Sequence, residues 1–371
     1  MTDPEPFGSR IGVYTDCASL PIALDTAADR GNQIATDYRI AVIVRDQSDT
    51  EQIRDIVSGV ERTMPIIVDP GRWRRVAGRP GRPLDLPVDG LIPTSLAQWS
   101  DSYRQATGAD AVFTPTLFVA AGEWRTLSSL IKSFVSGLDP TDRTVPLVAT
   151  DASMLNPGNL ARFLNTLAPV QNRRVAFVFA GGREIFAHCD RSAGLRAVLH
   201  QHQGAWILGV DGLIASDALS DNAGMVGIGV RSGMRWPAAP GNDSNAGFAM
   251  QGIPGVFNRD LFAYRSPPVY AHWYYDLVPA ACSVCGRPPH RYNPSPQDKD
   301  AITAHNVHAA AYLCATLLRI PHNERRAWLQ TERIEAATLH RELRSAQADK
   351  TLIALINRDN PGWRMPAPIG L

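Results

Sequence analysis

Nine short, β-branched apolar runs recur along this 371-residue chain, most of them followed by a polar turn and a segment of helical period. No other feature limits the fold as much. The runs are Ile11–Tyr14, Ile40–Val44, Pro65–Val68, Ala111–Val119, Val145–Ala149, Val175–Phe179, Ala205–Val210, Met225–Val230 and Ile253–Phe257. Helical segments are expected at Thr50–Glu61, Leu96–Ala106, Trp124–Ser136, Asn159–Leu167, Ser192–Gln201 and a short Asn245–Gln251. Strands this apolar must be covered on both faces. Helices threaded between them supply the cover when the sheet is parallel. So many units in one chain favour an α/β fold of the (β/α)8 TIM-barrel type over an open doubly wound sheet. Nine candidates for eight places leave one run that is an extra strand or no barrel strand at all.

Beyond the runs, Asn258–Val278 reads as loop and strand, while Ala301–Leu318 and Glu324–Ile356 read as helices on the outside of the barrel. The expected organisation is a barrel over residues 1–275, a small metal-binding subdomain over 276–320 and a helical C-terminal segment over 321–371. A hydrophobic content of 44% supports a large core, and a net charge of +1 leaves any nucleic-acid binding to a local patch. Lys132, Lys299 and Lys350 are the only lysines, so nearly all positive charge is arginine. The five cysteines do not form a disulfide framework, and no apolar run is long enough to span a bilayer. The chain reads as a soluble cytoplasmic protein without a membrane partner.

In such a barrel, reactive groups stand at the C-terminal ends of strands. Acids near strand ends are Asp16, Asp46, Asp69, Asp151, Asp211, Asp217 and Asp260, most of which are expected to be helix caps. Asp69 precedes a Gly/Pro-rich loop with five arginines, in which Arg72, Arg74 and Arg75 are candidates for phosphate contacts. Asp260 ends the last apolar run. Two carboxylates facing each other across a pocket can divide the work at a sugar anomeric carbon, one attacking and the other moving protons. Asp276 is held in reserve as nucleophile. Gly181-Gly182 and Gly212-Leu213 bring bare backbone to strand ends, where a flat ligand could approach main-chain amides. Finally, Cys282-Ser-Val-Cys285 has the spacing of two thiolate ligands, and an imidazole further on can add a third.

The order of these pieces resembles the tRNA-guanine transglycosylase superfamily. Val68-Asp69-Pro70-Gly71, Phe179 to Gly182, Asp211 through Asp217, Gly255-Val256 to Asp260, and Pro279 to Cys285 with His305-Asn306 fall in the sequence of the family's motifs. The match runs from about Pro65 to Leu318. Departures are plain: Ala280 stands where a first zinc cysteine is expected, Ala180 replaces a base-reading glutamine, Pro70 interrupts a serine-glycine pair and Asp217 replaces a glutamate.

The resemblance implies exchange of a nucleic-acid guanine for a 7-deazaguanine base, with Asp260 as nucleophile and Asp69 holding the base and assisting proton movement. Gly181, Gly182, Gly212, Leu213 and Asp217 would line the base pocket. A structural Zn2+ would be held by Cys282, Cys285 and His305, with His290, His308, Cys314 or water as the fourth ligand. The looser motifs look most like the branch that modifies DNA. tRNA exchange, and a non-catalytic role beside a partner subunit or second copy, are the alternatives.

Overall fold

The computed structural model describes residues 6–8, 10–34, 40–45, 50–59, 64–89, 92–139, 141–241, 255–283, 285–293, 295–343 and 348–364. Its parallel strands are β1 (Ile11–Asp16), β2 (Ile40–Arg45), β3 (Ile66–Asp69), β4 (Ala111–Phe113), β5 (Thr144–Asp151, interrupted at Pro146), β6 (Ala176–Ala180), β7 (Trp206–Val210) and β8 (Met225–Gly229). β8 pairs with β1, and β5 pairs with β4 through Thr144–Val145 and with β6 through Leu147–Asp151. Proline cannot donate a ladder hydrogen bond, so Pro146 divides one strand into two paired halves. With that strand joined, neighbours run in sequence order all the way round. The expected (β/α)8 barrel is therefore present, and it is closed.

Closure is reinforced beyond β4. The Thr116 hydroxyl donates to the Leu147 carbonyl at 2.7 Å, and the Val119 amide donates to the Ala149 carbonyl at 2.9 Å. Residues two apart on a strand share a face. The inner face accordingly carries Tyr14, Ile43, Ile67, Phe113, Leu147, Val178 and Leu208 with the inserted Trp73, while Val13, Val42, Val68, Phe177 and Ile207 pack outward against helices.

Eight of the nine expected strands are these barrel strands. Ile253–Phe257 is the surplus one: its described part belongs to an antiparallel hairpin outside the barrel, β9 (Val256–Asn258) with β10 (Ala263–Arg265). The expected helix at Asn245–Gln251 lies outside the described residues.

The outer helices are α1 (Leu20–Ile34), α2 (Thr50–Ser58), α3 (Leu96–Thr107), α4 (Trp124–Gly137), α5 (Pro157–Leu167), α6 (Cys189–Gln201), α7 (Gly212–Ser220) and a short α8 (Ser232–Arg235). The sequence pattern missed α1 and α7. Every residue of α7 is buried, so it has no polar face to produce a period. Outside the barrel come α9 (Pro267–Trp273), α10 (Lys299–Arg319), α11 (His322–Glu342) and α12 (Lys350–Asp359). The expected single helix Glu324–Ile356 is two, because Leu343 turns extended and Asp349 caps a new start. α10 packs between α1 and α7, so it takes a place in the barrel's outer layer instead of forming part of a detached unit.

A buried charge network joins the last helices to the barrel. Asp217 on α7 accepts from Arg333 at 2.6 Å and Arg358 at 2.7 Å, while Arg196 bridges Asp221 and Asp359. Burial alone would raise the Asp217 pKa, but Arg333 and Arg358 hold it well below the usual carboxylate range. Arg333 is fully buried. Asp217→Ala would leave that guanidinium without its main partner, and a loss of about 3–5 kcal/mol is expected in denaturant unfolding.

His202, after α6, is buried edge-on to Phe177, and neither ring nitrogen has a hydrogen-bond partner. Burial lowers its pKa to about 4. Between pH 6.5 and 4 the unfolded chain therefore binds the extra proton, and folding stability falls as the pH falls, by on the order of 3 kcal/mol from this group. His202→Leu is expected to flatten that part of the stability–pH curve.

Candidate metal centre and barrel mouth

α10 presents His305 and His308 on one face, because residues three apart on a helix are neighbours. The knuckle before it is tightened by the Gly286 amide donating to the Cys282 carbonyl at 2.8 Å, with Gly286 at φ 69°. Together they bring Cys282, Cys285, His305 and His308 into one cluster whose ligand atoms all lie within 4.8 Å of each other. Cys282 Sγ is 3.4 Å from His308 Nε2, and Cys285 Sγ is 3.3 Å from His305 Nδ1. A tetrahedral ion with ordinary metal–sulfur and metal–nitrogen bonds needs sulfur–nitrogen edges of about 3.6 Å, so this group can hold one.

The surroundings orient the ligands. His305 Nε2 lies 2.8 Å from the Phe257 carbonyl, which suits a proton on that nitrogen and leaves Nδ1 for the metal. The Tyr292 hydroxyl stands 3.3 Å from Cys285 Sγ. Hydrogen bonding from Cys282, His305 and His308 holds the Cys285 thiol well below the usual thiol range, which favours the ligating thiolate. Asn306 acts beside the cluster: its Oδ1 accepts from the Phe257 amide at 2.7 Å and its Nδ2 donates to the Gly255 carbonyl at 2.8 Å. The centre thus rivets the β9–β10 hairpin to α10.

Of the open choices for a fourth ligand, His308 completes the group. His290 sits outside it on a short turn, and Cys314 is buried in the core with its thiol pKa pushed up by desolvation.

The proposed catalytic carboxylates occupy different places. Asp69 ends β3 on the inner face and is fully buried. Tyr14 Oη donates to its Oδ2 at 2.5 Å, Trp73 Nε1 donates to the same oxygen at 3.2 Å, and the Gly71 amide donates to Oδ1 at 2.8 Å. Gly71 reaches that position with φ 64°, a left-handed conformation that suits glycine. Desolvation raises the Asp69 pKa against the lowering effect of these donors. Asp260 is exposed on the turn of the hairpin, outside the barrel. It lines a cavity of about 200 Å³ with Arg259, Cys282, Ser283, His305 and Tyr312. Asp69 is not among the residues lining that cavity. The run leading to Asp260 belongs to the hairpin, so this carboxylate does not stand at the end of a barrel strand as Asp69 does.

The expected base-binding residues have structural engagements. The Gly181 and Gly182 amides both donate to the Pro237 carbonyl, at 3.0 and 3.2 Å, tying the loop after β6 to the segment after α8. Gly212 lets α7 approach the hairpin and α10; an added Cβ would lie 3.1 Å from Phe257 and 3.2 Å from Ala310. Leu213 is core, and Asp217 belongs to the arginine network. Asp16, Asp151 and Asp211 each cap the turn or helix that follows, as expected for most of the list. Asp46 lies outside the described residues, and Asp276 is exposed after α9. In the arginine loop, Trp73 turns into the barrel, Arg72 lies 3.7 Å from Asp85, Arg74 is half-buried and Arg75 is exposed.

Sequence reasoning passed over Tyr14, Trp73 and Arg45, which surround Asp69. The usable signal was position: Arg45 and Asp69 follow consecutive apolar runs immediately, at one level of the barrel.

No family model matches the chain, and the comparison with curated proteins finds no match. Among the described residues no helix is long and apolar enough to cross a membrane.

Freshly purified protein is expected to carry about one equivalent of a transition-metal ion, and Cys285→Ser or His308→Ala to carry less than about half. Chelation should speed amide exchange across the β9–β10 hairpin, whereas His290→Ala should change neither measurement.

Proposed function

We propose that this protein is a zinc-bearing barrel of the guanine-transglycosylase kind, exchanging a guanine in DNA, or in tRNA, for a 7-deazaguanine base. The observation that carries the reading is the Cys282–Cys285–His305–His308 group lying beside the Asp260 cavity. Its donors, two thiolates and two imidazoles, suit a structural Zn2+. Asn306, next to His305, ties the strand leading to Asp260 onto α10, so the metal centre and the carboxylate act as one unit.

In this reading an Asp260 oxygen bonds to C1′ as the C1′–N9 bond breaks. Guanine leaves with the electron pair and takes up a proton, and N9 of the deazaguanine then displaces the carboxylate, losing its own proton. Asp69 contributes from the barrel mouth, where its raised pKa suits a group that gives and takes a proton. The arginine loop after β3 would hold flanking phosphates through Arg72, Arg74 and Arg75. A flipped-out nucleotide is the form of substrate that attack at C1′ within a duplex requires.

One observation favours a second reading, a non-catalytic subunit that works beside an active partner. Asp217 is saturated by arginines, the Gly181 and Gly182 amides are engaged, and Asp260 is carried by the hairpin and not by a barrel strand.

Labelled guanine incubated with the protein and guanine-containing DNA or tRNA distinguishes the two. Exchange by the pure protein, abolished in Asp260→Ala and in Asp69→Ala with unchanged circular dichroism, supports the enzyme. Exchange that appears only with an added partner supports the subunit. A covalent nucleic-acid adduct still trapped by Asp260→Ala assigns the nucleophile elsewhere.

A further inference from the structure

Beside Asp69 the barrel mouth holds charged side chains that base exchange leaves unused. Asp16, Arg45 and Asp69 are register partners on β1, β2 and β3. They stand on the inner face one layer above Tyr14, Ile43 and Ile67, which line the interior. Arg231 reaches the same layer from the segment after β8, its Nη1 3.4 Å from Asp16 Oδ2. Two guanidinium groups therefore flank the end of β1.

Arg45 is only 3% exposed, and its Nε and Nη1 have no hydrogen-bond partner among the described residues. It faces the Tyr14 ring, whose centroid lies 6.0 Å from the guanidinium carbon, and the charge of its register partner Asp69. The buried Nε of Arg231 lacks a partner as well. Neighbouring carboxylates are already committed: Asp16 accepts from the Ser19 amide and Arg231, and Asp69 from Tyr14, Gly71 and Trp73. Guanidinium stays charged at any pH at which the protein folds, and a buried charge with unmet donors is unfavourable. Such donors in a native structure point to something that completes them.

We infer that Arg45, assisted by Arg231, binds a phosphate group at the C-terminal mouth of the barrel. The planar fork of donors matches the paired oxygens of a phosphate, and the C-terminal face is where barrels of this kind hold their ligands. The inference rests on the mouth being the barrel's working face; within base exchange the phosphate would be one attached to the target nucleoside. The shared chemistry is a phosphate monoester or diester, or the free ion.

The test is thermal unfolding and calorimetric titration of the intact protein with inorganic phosphate, a guanosine 5′-monophosphate and guanosine, at constant ionic strength. Saturable binding of phosphate and of the monophosphate is expected, with none shown by guanosine at the same concentrations. Tighter binding of the monophosphate identifies a nucleotide phosphate, and equal binding identifies the free ion. Arg45→Met should weaken binding at least tenfold and, by removing buried donors that lack partners, raise the midpoint of unfolding in phosphate-free buffer. Arg231→Gln should weaken binding several-fold, and Arg104→Gln on α3 should leave it unchanged. If Arg45→Met does not fold, the side-chain Nε–H resonance of Arg45 in the wild-type protein should move with added phosphate. Absence of saturable binding by the wild type, or binding unchanged in Arg45→Met, overturns the inference. Phosphate binding without base exchange would remove only the functional proposal, and exchange without phosphate binding only this one.

Discussion

Everything in this molecule depends on the closure of its parallel sheet. An open parallel sheet leaves two edges of unpaired amides and carbonyls, and a ring removes both. Here the critical strand is β5, which must pair with β4 over Thr144–Val145 and with β6 over Leu147–Asp151. Pro146 sits between the two halves, and the hydroxyls of Thr114 and Thr116 take over bonds to Leu147 that the interrupted ladder would otherwise supply. Closure sets the register of β1, β2 and β3, and the register gathers Asp16, Arg45 and Asp69 into one layer at the mouth.

The metal cluster solves a different problem. The β9–β10 hairpin is short and lies outside the ring, where two strands alone would be marginal. It is fastened by side chains from α10: Asn306 satisfies the backbone of Gly255 and Phe257, and His305 binds the Phe257 carbonyl while presenting its other nitrogen to the cysteines. A bound ion would lock these contacts together, because His305 is already oriented by its hydrogen bond to the Phe257 carbonyl of the hairpin. The arginine network around Asp217 does the equivalent at the C-terminal end, tying α11 and α12 to α7 and α6 through charges that are stable only as a group.

Much of this was legible in the chain. The barrel followed from alternating apolar runs and helical segments, since strands covered on both faces leave a continuous apolar signature. The cysteine spacing and the histidine at the head of a helix pointed to the metal cluster, and Asp69 stood out as a strand-end acid before the arginine loop. Less legible were features that depend on neighbours far away in sequence. α7 gave no periodic signal because its whole circumference is buried, and Gly212 and Asp217 looked like pocket residues although one permits helix packing and the other neutralises arginines.

Local sequence, then, determined the barrel strands and most of their helices, the strand-end acids that cap turns and the presence of two cysteines and a histidine as candidate ligands, because those follow from periodicity and short-range geometry. Tertiary structure alone decided which run was surplus, that His308 and not His290 or Cys314 joins the cluster, and that Asp260 is carried by a hairpin outside the ring of strands. The reason is physical: spacing along a strand or helix fixes which face a side chain occupies, but the partner across that face comes from closure of the ring and packing of α10 against α1 and α7. Arg45 shows the limit most clearly, since an arginine at the end of an apolar run acquires meaning only when the barrel buries it beside Tyr14 and Asp69.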